Sequence, residues 1–116
     1  MRGLAIVLGG LVFSQPAFAQ EQKLTGVEIE MALSDHTLQG SDENSNVWRQ
    51  IFQKAGATYY AVNGGQSQGV WQVRGDQYCS QWPPNESWTC YDLLRDGENF
   101  IFVSGSGQRT TGKLLN

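Results

Sequence analysis

Residues 77–93, QYCSQWPPNESWTCYDL, decide the fold of this chain. Two runs that mix aromatic and polar residues flank a loop at 83–86, which contains two prolines, an asparagine and a glutamate. Proline and asparagine favour turns, and aromatic residues on either side of a turn favour strands. The stretch therefore predicts a β-hairpin with strands at 77–82 and 88–93.

The only two cysteines of the chain lie in this hairpin, one on each predicted strand. If Trp82 pairs with Ser87 across the loop, Cys79 lies directly opposite Cys90. Opposed residues of an antiparallel pair are about 4.5 to 5.5 Å apart, a separation that a disulfide tolerates. We therefore predict a structural disulfide between Cys79 and Cys90. The pair lacks C-x-x-C spacing, which disfavours a catalytic redox role.

Short runs of aromatic and β-branched residues recur on both sides of the hairpin, separated by glycine-containing turns. The turns are too short for the crossovers that parallel strands need. These runs predict further strands at 47–53, 58–62, 69–74, 100–104 and 109–115. The pattern indicates a mainly β fold, an antiparallel meander of six to eight short strands that forms a curled sheet or a small barrel.

One short helix is expected near the start of the mature chain. Thr25 and Glu28 have the spacing of a capping box, in which each side chain bonds the backbone N–H of the other residue. This cap predicts a helix at 26–34. Apolar and acidic residues alternate there as in a half-buried strand, and the cap is what favours the helix. The next segment, 35–46, is expected to be mostly loop, with a short strand at 37–39.

Residues 1–19 have the parts of an export signal. Arg2 gives a positive start, an apolar run of ten residues follows at 4–13, and the segment ends in Ala-Phe-Ala, which matches a cleavage site. A membrane-spanning helix needs ~20 apolar residues, so this run is too short to be a retained anchor. We therefore predict cleavage after Ala19 and a single small β-rich domain at 20–116, soluble in the periplasm or outside the cell.

The predicted mature domain is acidic. Removal of residues 1–19 takes away one of the eight basic residues and none of the eleven acidic ones, which leaves a net charge of −4. Nucleic acids and anionic membranes both require a basic surface. We therefore expect no nucleic-acid partner and no stable membrane anchor. The expected partner is another protein or a small-molecule ligand, and the sequence leaves the oligomeric state open.

No group of residues has the spacing of a catalytic or metal site. His36 has no nucleophile motif near it, and a zinc site built from it and the two cysteines would lack a fourth ligand. The segment 42–46 is rich in side-chain oxygens, as calcium loops are. However, Val47 stands where such a loop needs glycine, and Gln53 stands where it needs glutamate. We therefore predict no catalytic residue, no metal and no cofactor.

The four tryptophans form either a core or a stacking platform for a sugar or another planar ligand. Burial is the favoured interpretation, because a domain of this size needs large rings to build its core. The predicted hairpin places Trp82 and Trp88 on opposite faces, so at least one of them faces solvent unless the sheet closes or the helix covers it. The candidate binding residues are Trp82, Pro84, Asn85 and Trp88.

These features predict an exported, non-enzymatic binding or structural module. The alternative is a secreted protein inhibitor of a hydrolase, which would use the disulfide-pinned loop at 83–86 as a rigid element. A small hydrolase-like enzyme is a remote alternative. It would need His36 and a carboxylate, Asp35 or Asp92, to meet in one pocket.

One pattern along the chain resembles that of a known group. Residues 69–82 read G-x-W-x-V-x-G-x-x-x-C-x-x-W, and Cys90 and an Asp-Gly pair at 96–97 follow. This pattern resembles small uncharacterised exported proteins of proteobacteria, which are also similar to this chain at 24–29 and 37–40. The resemblance implies a periplasmic β-rich domain with a disulfide, and it implies no activity and no functional residues.

Overall fold

The computed structural model describes residues 20–115. The signal peptide predicted at 1–19 and its cleavage site lie outside the described residues. The described part of the chain forms one helix, α1 (Gly26–Leu33), and nine strands. The strands are β1 (Gln22–Lys23), β2 (His36–Ser41), β3 (Val47–Phe52), β4 (Ala57–Val62), β5 (Gly65–Arg74), β6 (Gln77–Gln81), β7 (Trp88–Asp96), β8 (Asn99–Val103) and β9 (Arg109–Leu114).

The strands close into an antiparallel barrel. From β2 onward each strand pairs with the next one along the chain, up to β9. β9 then pairs back with β2, which joins the two edges of the sheet and makes a closed ring of eight strands. β1 lies outside this ring and pairs with Leu94 and Arg95 of β7. The predicted mainly β meander is confirmed, and it takes the barrel form.

Three strands differ from the sequence prediction by more than one residue, β7 by running to Asp96 instead of 93, and β1 was not predicted. The short strand predicted at 37–39 is confirmed, but β2 is longer and runs through His36–Ser41, so the predicted loop is limited to 42–46. β5 begins at Gly65, four residues before its predicted start at 69. β2 and the first part of β5 contain glycine, serine and glutamine, which have weak strand propensity, but β2 pairs with a strand on both sides and residues 65–68 pair with β4. Pairing with neighbours overrides propensity at such positions.

The predicted helix and its cap are confirmed. Thr25 Oγ1 accepts the N–H of Glu28 at 3.3 Å, and the Glu28 carboxylate accepts the N–H of Thr25 at 2.8 Å. These bonds satisfy two donors that the first turn leaves unpaired. The helix ends at Leu33, one residue before the predicted end. Ile29 and Leu33, one turn apart, are fully buried, so α1 presents an apolar side to the barrel.

One end of the barrel is closed by α1, and we call it the closed end. The turns that join β3 to β4, β5 to β6 and β7 to β8 all lie there, and the helix packs against β2, β5 and β6. At the start of the helix, Gly26 donates its N–H to Asp76 Oδ1 at 2.7 Å. A Cβ on Gly26 would overlap the carbonyl oxygen of Gly75. Only glycine allows the helix to approach the β5–β6 turn this closely.

The core beneath the helix is apolar. Trp71 belongs to it, and its indole N–H donates to the carbonyl oxygen of Gln53 at 2.8 Å. Burial of each aliphatic or aromatic side chain there contributes ~1.5 to 3 kcal/mol to stability. Other members of this buried cluster are Leu24, Ile29, Leu33, Leu38, Phe52, Leu93 and Phe100. The expected burial of tryptophan is confirmed for Trp71 and Trp48, while Trp82 and Trp88 are only partly buried.

The predicted hairpin register is confirmed. β6 and β7 pair with Cys79 opposite Cys90 and with Gln81 opposite Trp88. A disulfide joins the two cysteines, whose Cα atoms are 4.0 Å apart. The bridge lies on the outer face of the barrel, since Tyr78 and Ser80 on either side of Cys79 face inward. It ties together the two strands that carry the loop at 82–87.

Candidate functional site

The end of the barrel opposite α1 is open. Loops at 42–46, 63–64, 82–87 and 104–108 surround it, and each joins two neighbouring strands. A cavity of about 300 Å³ lies between the strands at this end. We call it the mouth cavity. Its volume is at the lower end of the range of small-ligand pockets, roughly 300 to 1,000 Å³.

The wall of the mouth cavity is built from inward-facing strand positions. Side chains alternate between the two faces of a strand, so these positions recur at every second residue. The lining residues are Trp48 and Gln50 of β3, Tyr60 of β4, Tyr78 and Ser80 of β6, Tyr91 of β7, Phe102 of β8, Thr110 of β9, and Trp82 of the loop that follows β6. None of these side chains is a carboxylate, an ammonium, a guanidinium or an imidazole, so the wall is neutral.

Three aromatic rings stand in contact within this wall. Trp48 and Tyr60 are stacked with ring centroids 5.9 Å apart, and Tyr60 and Trp82 meet edge to face at 6.3 Å. A glycine lies behind each tryptophan: a Cβ on Gly40 would lie 2.6 Å from the Trp48 ring, and one on Gly69 would lie 2.7 Å from the Trp82 ring. Glycine therefore lets both indoles lie flat against the backbone of the wall.

Hydrogen bonds orient the polar groups deeper in the mouth cavity. Gln50 Nε2 donates to Thr58 Oγ1 at 3.0 Å and to the hydroxyl oxygen of Tyr78 at 3.1 Å. Thr58 donates its own hydroxyl to the carbonyl oxygen of Ile51 at 2.8 Å. Because both N–H bonds of the Gln50 amide are used, its orientation is set. Its carbonyl oxygen is the acceptor that this amide can offer to a ligand.

Two phenols of the cavity remain protonated at neutral pH. Burial raises the pKa of Tyr78 to about 12, against the opposing effect of hydrogen bonds from Ser80 and Gln50. Burial also raises the pKa of Tyr60, and the negative charge of Asp42 acts in the same direction. Both hydroxyls are therefore neutral groups that can donate a hydrogen bond.

The loop at 42–46 brings a negative charge to the mouth. Backbone N–H groups of Asn46 and Asn44 and the side-chain amide of Asn46 bond the Asp42 carboxylate at 2.8, 2.9 and 3.1 Å. The bond from the backbone of Asn46 is the largest cause of the lowered pKa of Asp42. The carboxylate is therefore ionised at neutral pH, and its charge contributes to the raised pKa of Tyr60 in the cavity wall. This charge disfavours anionic ligands.

A second cavity, of about 440 Å³, adjoins the mouth cavity. Tyr60 and Trp82 line both cavities. The other walls of the second cavity are Gln66, Ser67 and Gln68, in the first half of β5, and Pro83. We call this space the rim groove. Like those of the mouth cavity, its lining residues include no aspartate, glutamate, lysine, arginine or histidine.

Of the four binding residues predicted from the sequence, Trp82 lines both the mouth cavity and the rim groove. Its indole N–H donates to Ser80 Oγ at 3.2 Å. Pro84 and Asn85 are exposed in the loop at the rim. The Asn85 side chain accepts the N–H of Ser87 at 2.9 Å, so it shapes its own loop.

Trp88 lies on the outer face of the barrel, away from both cavities. The guanidinium carbon of Arg74 lies 4.5 Å from the centroid of the Trp88 ring, within the range of a cation–π contact. The two hairpin tryptophans therefore face opposite sides, as the hairpin register requires. The structure brings Trp82 into the cavity wall and keeps Trp88 apart from it.

His36 lies in β2, not in the loop expected from the sequence. Its Nδ1 atom is buried without a hydrogen-bond partner, and the ring lines a cavity of about 370 Å³ at the closed end. Asp35 and Asp92 do not line this cavity. The Asp35 carboxylate accepts the N–H of Lys54 at 2.9 Å, and the Asp92 carboxylate pairs with Lys23 at 3.6 Å. Both carboxylates are thus engaged elsewhere.

The segment 42–46, which is rich in side-chain oxygens as calcium loops are, forms hydrogen bonds within itself. The Asp42 carboxylate bonds within the loop as described above, which organises a compact turn. Among the residues that the structure describes, no three His, Cys, Asp or Glu side chains come close enough to hold a metal ion. In the same part of the chain, no helix has the combined length and hydrophobicity required to cross a bilayer.

Sequence reasoning missed most of the mouth cavity. It did not single out the tyrosines Tyr60, Tyr78 and Tyr91 or the polar residues Gln50 and Ser80. A signal was present in the strand pattern: Gln50 has an aromatic residue two positions before and after it, and so does Ser80. A polar residue at the centre of such an inward-facing series needs a partner or a cavity.

No family model, curated protein or solved structure matches this chain. The resemblance to small exported proteobacterial proteins therefore stays a prediction. The function has to be inferred from the chemistry of the mouth cavity and the rim groove.

Proposed function

We propose that this protein is exported, loses residues 1–19, and acts as a non-enzymatic binding protein. Its ligand would be a small neutral molecule with a ring, held in the mouth cavity. The observation that carries this proposal is the make-up of the cavity wall, in which aromatic rings alternate with oriented, uncharged polar groups. Open cavities of this kind are the usual sites of small-ligand binding.

The aromatic part of the wall favours a ligand with flat apolar faces. Trp48, Tyr60 and Trp82 provide ring faces and edges at the mouth, and Phe102 lies deeper. The polar part favours a ligand with neutral hydrogen-bonding groups, because Gln50 offers an acceptor. A charged ligand would lose its hydration on entering the cavity, and no oppositely charged side chain in the wall would compensate for this loss. Its binding would therefore be strongly unfavourable.

Binding can be tested by titrating the oxidised mature protein with a panel of neutral sugars and neutral aromatic metabolites. The readout is intrinsic tryptophan fluorescence, followed by calorimetry on each responding compound. We expect a saturable change in emission for at least one compound. Tyr60→Leu should weaken its binding by roughly tenfold or more, because it removes a central ring and its hydroxyl from the wall.

Tyr59→Leu is the matched control for this experiment. Tyr59 is the neighbour of Tyr60 on β4 and faces the outside of the barrel, so binding should stay at the wild-type level. A flat fluorescence and calorimetric response across the whole panel would contradict the proposal, as would equal loss of binding in both variants.

Export and processing have a separate test. Mass spectrometry of the protein from the periplasm or the medium should give a chain that begins at Gln20 and carries the disulfide between Cys79 and Cys90. A chain that retains residues 1–19 and stays in the cytoplasm would contradict this part of the proposal.

The loop at 82–87 favours a second candidate function, inhibition of a hydrolase. Three hydrogen bonds shape this loop: from Asn85 N–H to the Trp82 carbonyl at 3.0 Å, from Gln81 Nε2 to the Glu86 carbonyl at 2.7 Å, and from Ser87 N–H to Asn85 Oδ1. A rigid exposed loop loses little entropy when it enters an enzyme's cleft.

The protein would then inhibit one member of a panel of glycoside hydrolases and proteases, and Pro84→Ala or Asn85→Ala would weaken that inhibition. Unchanged enzyme activity across the panel would exclude this function for the enzymes tested.

A further inference from the structure

We propose that the first half of β5 receives an extended segment of a partner protein, which adds to the barrel as a further antiparallel strand. This interaction goes beyond the proposed function, because it uses the backbone of a sheet edge and not the side chains of the mouth cavity. It is carried by the strand register, which directs backbone groups of two β5 residues into the rim groove.

The first half of β5 has a partner strand on one side only. Residues 65–69 pair with β4, whereas the register with β6 in the described part of the chain begins at Val70, opposite Gln81. β6 ends at Gln81, and the chain then enters the loop at 82–87. β5 therefore extends beyond β6 at the mouth. We call the side of residues 65–69 that faces away from β4 the β5 edge.

Backbone groups in β5 alternate between its two neighbours. In an antiparallel sheet, the N–H and C=O of one residue face one adjacent strand and those of the next residue face the other. Arg74 and Gln77 close a two-residue turn, so this pair is hydrogen-bonded and the even-numbered residues of β5 face β6. Trp71 donates its N–H to the carbonyl oxygen of Gly56, just before β4, at 2.8 Å. The odd-numbered residues therefore face β4.

Gln66 and Gln68 are the even-numbered residues of the β5 edge. Their backbone N–H and C=O groups point away from β4, toward the side where β6 has already ended. Both residues are exposed and line the rim groove. Their side chains lie on the outer face of the barrel, because Gln66 pairs with Ala61 and Gln68 with the outward-facing Tyr59. What these residues offer to the groove is therefore their backbone.

The loop at 82–87 does not continue the ladder along the β5 edge. In the register of β5 and β6, Pro83 is the residue that would come opposite Gln68, and proline has no N–H to donate. The loop turns back on itself instead, with a bond from the Asn85 N–H to the Trp82 carbonyl at 3.0 Å. A groove of about 440 Å³ lies between the loop and the β5 edge.

An extended backbone is the partner that matches this edge. Each residue that lies directly opposite Gln66 or Gln68 in an antiparallel strand exchanges two hydrogen bonds with it. Unpaired sheet edges are templates for such strands, and strand addition is a recurrent mode of peptide recognition. A second copy of this chain fits less well. The loop at 82–87 borders the β5 edge of each copy, so two loops would compete for the space between two barrels.

The alternation of side chains sets the pattern of the added segment. Ser67 pairs with Tyr60 and faces the barrel mouth, so the segment residue opposite Ser67 points the same way, toward Trp82. The groove has no charged lining residue, and a charge at this position would lose its hydration without compensation. The residues opposite Gln66 and Gln68 point outward, beside two amides. The segment is therefore polar, apolar, polar.

The probes for this interaction are four acetylated and amidated peptides, Thr-Thr-Gln-X-Gln-Thr-Thr, in which X is valine, leucine, phenylalanine or tyrosine. NMR of the isotope-labelled, oxidised mature protein follows each titration. At least one peptide should give saturable shifts centred on the backbone amides of Gln66 and Gln68. At saturation it should slow the hydrogen exchange of these amides roughly tenfold or more. No saturable shift at these amides with any of the four peptides would overturn the proposal.

N-methylation of the responding peptide tests the hydrogen bonds themselves. Methyl groups on the nitrogens of the two residues that flank X remove the N–H groups that face β5, and they should weaken binding roughly tenfold or more. A methyl group on the nitrogen of X faces away from β5 and should have little effect. Equal losses from the two methylation patterns would contradict strand addition.

Gln68→Pro tests the same bonds from the side of the protein. It removes an N–H that faces the groove and leaves the odd-numbered bonds to β4 in place, a position that proline tolerates in a sheet. The affinity for the peptide should fall roughly tenfold or more. Gln68→Thr is the matched control, because it keeps the N–H, and it should bind as the wild type does. Circular dichroism and urea denaturation verify that both variants fold.

The outcomes separate this proposal from small-ligand binding in the mouth cavity. If a small neutral compound binds and none of the peptides does, strand addition is wrong and the proposed function stands. If a peptide binds at the β5 edge and no small compound binds, the reverse holds. Sedimentation that shows a dimer disrupted by Gln68→Pro and unaffected by the peptides would mean that the edge receives a second copy, which contradicts the proposal.

Discussion

The closed end and the mouth of the barrel are lined by similar aromatic rings, but α1 packs into the closed end and leaves a cavity only at its side, whereas no described helix enters the mouth. At the closed end, Ile29 and Leu33 of α1 occupy the space between the strands and are fully buried. At the mouth no described helix crosses the barrel, and a cavity of about 300 Å³ remains. The difference comes from one inserted element, which plugs one end of an otherwise continuous ring.

Within the described residues, the hydrogen-bonded polar side chains of the interior lie towards the mouth, while His36 at the closed end has a buried Nδ1 without a partner. The buried cluster beneath the helix consists of apolar and aromatic side chains. Gln50 and Ser80 both belong to the mouth, and each is held by a hydrogen bond within the wall. Stability is therefore expected to depend most on the closed end and ligand binding most on the mouth. The predictions below test this division.

The largest effect is expected from Leu33→Ala at the closed end. Loss of a fully buried leucine side chain should lower the free energy of unfolding by about 2 to 5 kcal/mol, because it leaves a cavity under the helix. Urea denaturation measures this change. Met31→Ala is the control on the same helix, where the side chain is 72% exposed, and it should change stability by less than about 0.5 kcal/mol. Equal effects of the two substitutions would mean that the helix does not support the barrel.

The disulfide on the mouth side comes next. Replacing Cys79 and Cys90 together by alanine should lower the free energy of unfolding by about 3 kcal/mol, since the bridge closes a short loop and restricts the unfolded chain. Urea denaturation of the wild type with and without a reducing agent gives an independent measure of the same quantity. Identical midpoints for the oxidised and reduced forms would show that the bridge contributes nothing to stability.

Tyr78 lies between the two ends and should make stability depend on alkaline pH. Its pKa is about 12 in the folded protein, against an ordinary value of 10.0, so between these pH values the folded state holds a proton that the unfolded chain releases. This contribution, roughly 2 to 3 kcal/mol, is fully present below pH 10 and is lost as pH rises through about 12.

The measurement for Tyr78 is the free energy of unfolding as a function of pH from neutral to strongly alkaline. Tyr78→Phe should remove most of the alkaline decline and should also lower stability at neutral pH, because it leaves an N–H of Gln50 without its acceptor. Tyr59→Phe on the outer face should keep the decline. The same slope in the Tyr78 variant and in the wild type would show that another group titrates.

The smallest effect is expected at the cap of α1. Thr25→Ala removes the hydroxyl that accepts the Glu28 N–H and should lower the free energy of unfolding by about 1 kcal/mol. Thr25→Ser keeps the hydroxyl and should restore most of this loss. Neither substitution should alter ligand affinity, because the cap lies at the closed end. A change in affinity would show that the two ends are coupled.

Features that depend on residues close in the chain were predictable. The capping box links residues three apart, and the bridged hairpin links strands separated by a short loop, so spacing alone led to both. The strand predicted at 37–39 was too short for the opposite reason. β2 owes its conformation to β3 on one side and to β9, more than seventy residues away, on the other.

The candidate site was predictable only in part. Trp82 was found because the hairpin register sets which way it faces, and the same register placed Trp88 on the other side. Gln50, Tyr60 and Tyr91 belong to three different strands, and they share a cavity only because the ring closes. Because side chains alternate between the two faces of a strand, the sequence showed that these residues share one face of the sheet. It did not show whether other side chains would fill the space in front of that face.

The amino-acid sequence by itself determined the strand-rich class, the helix cap, the hairpin register and the disulfide, because each depends on local backbone chemistry and short spacing. The tertiary structure alone decided that the sheet closes, that α1 fills one end, and that neutral polar groups and aromatic rings meet in a cavity at the other. These outcomes depend on contacts between distant strands and on the volume left between them, which no local pattern encodes.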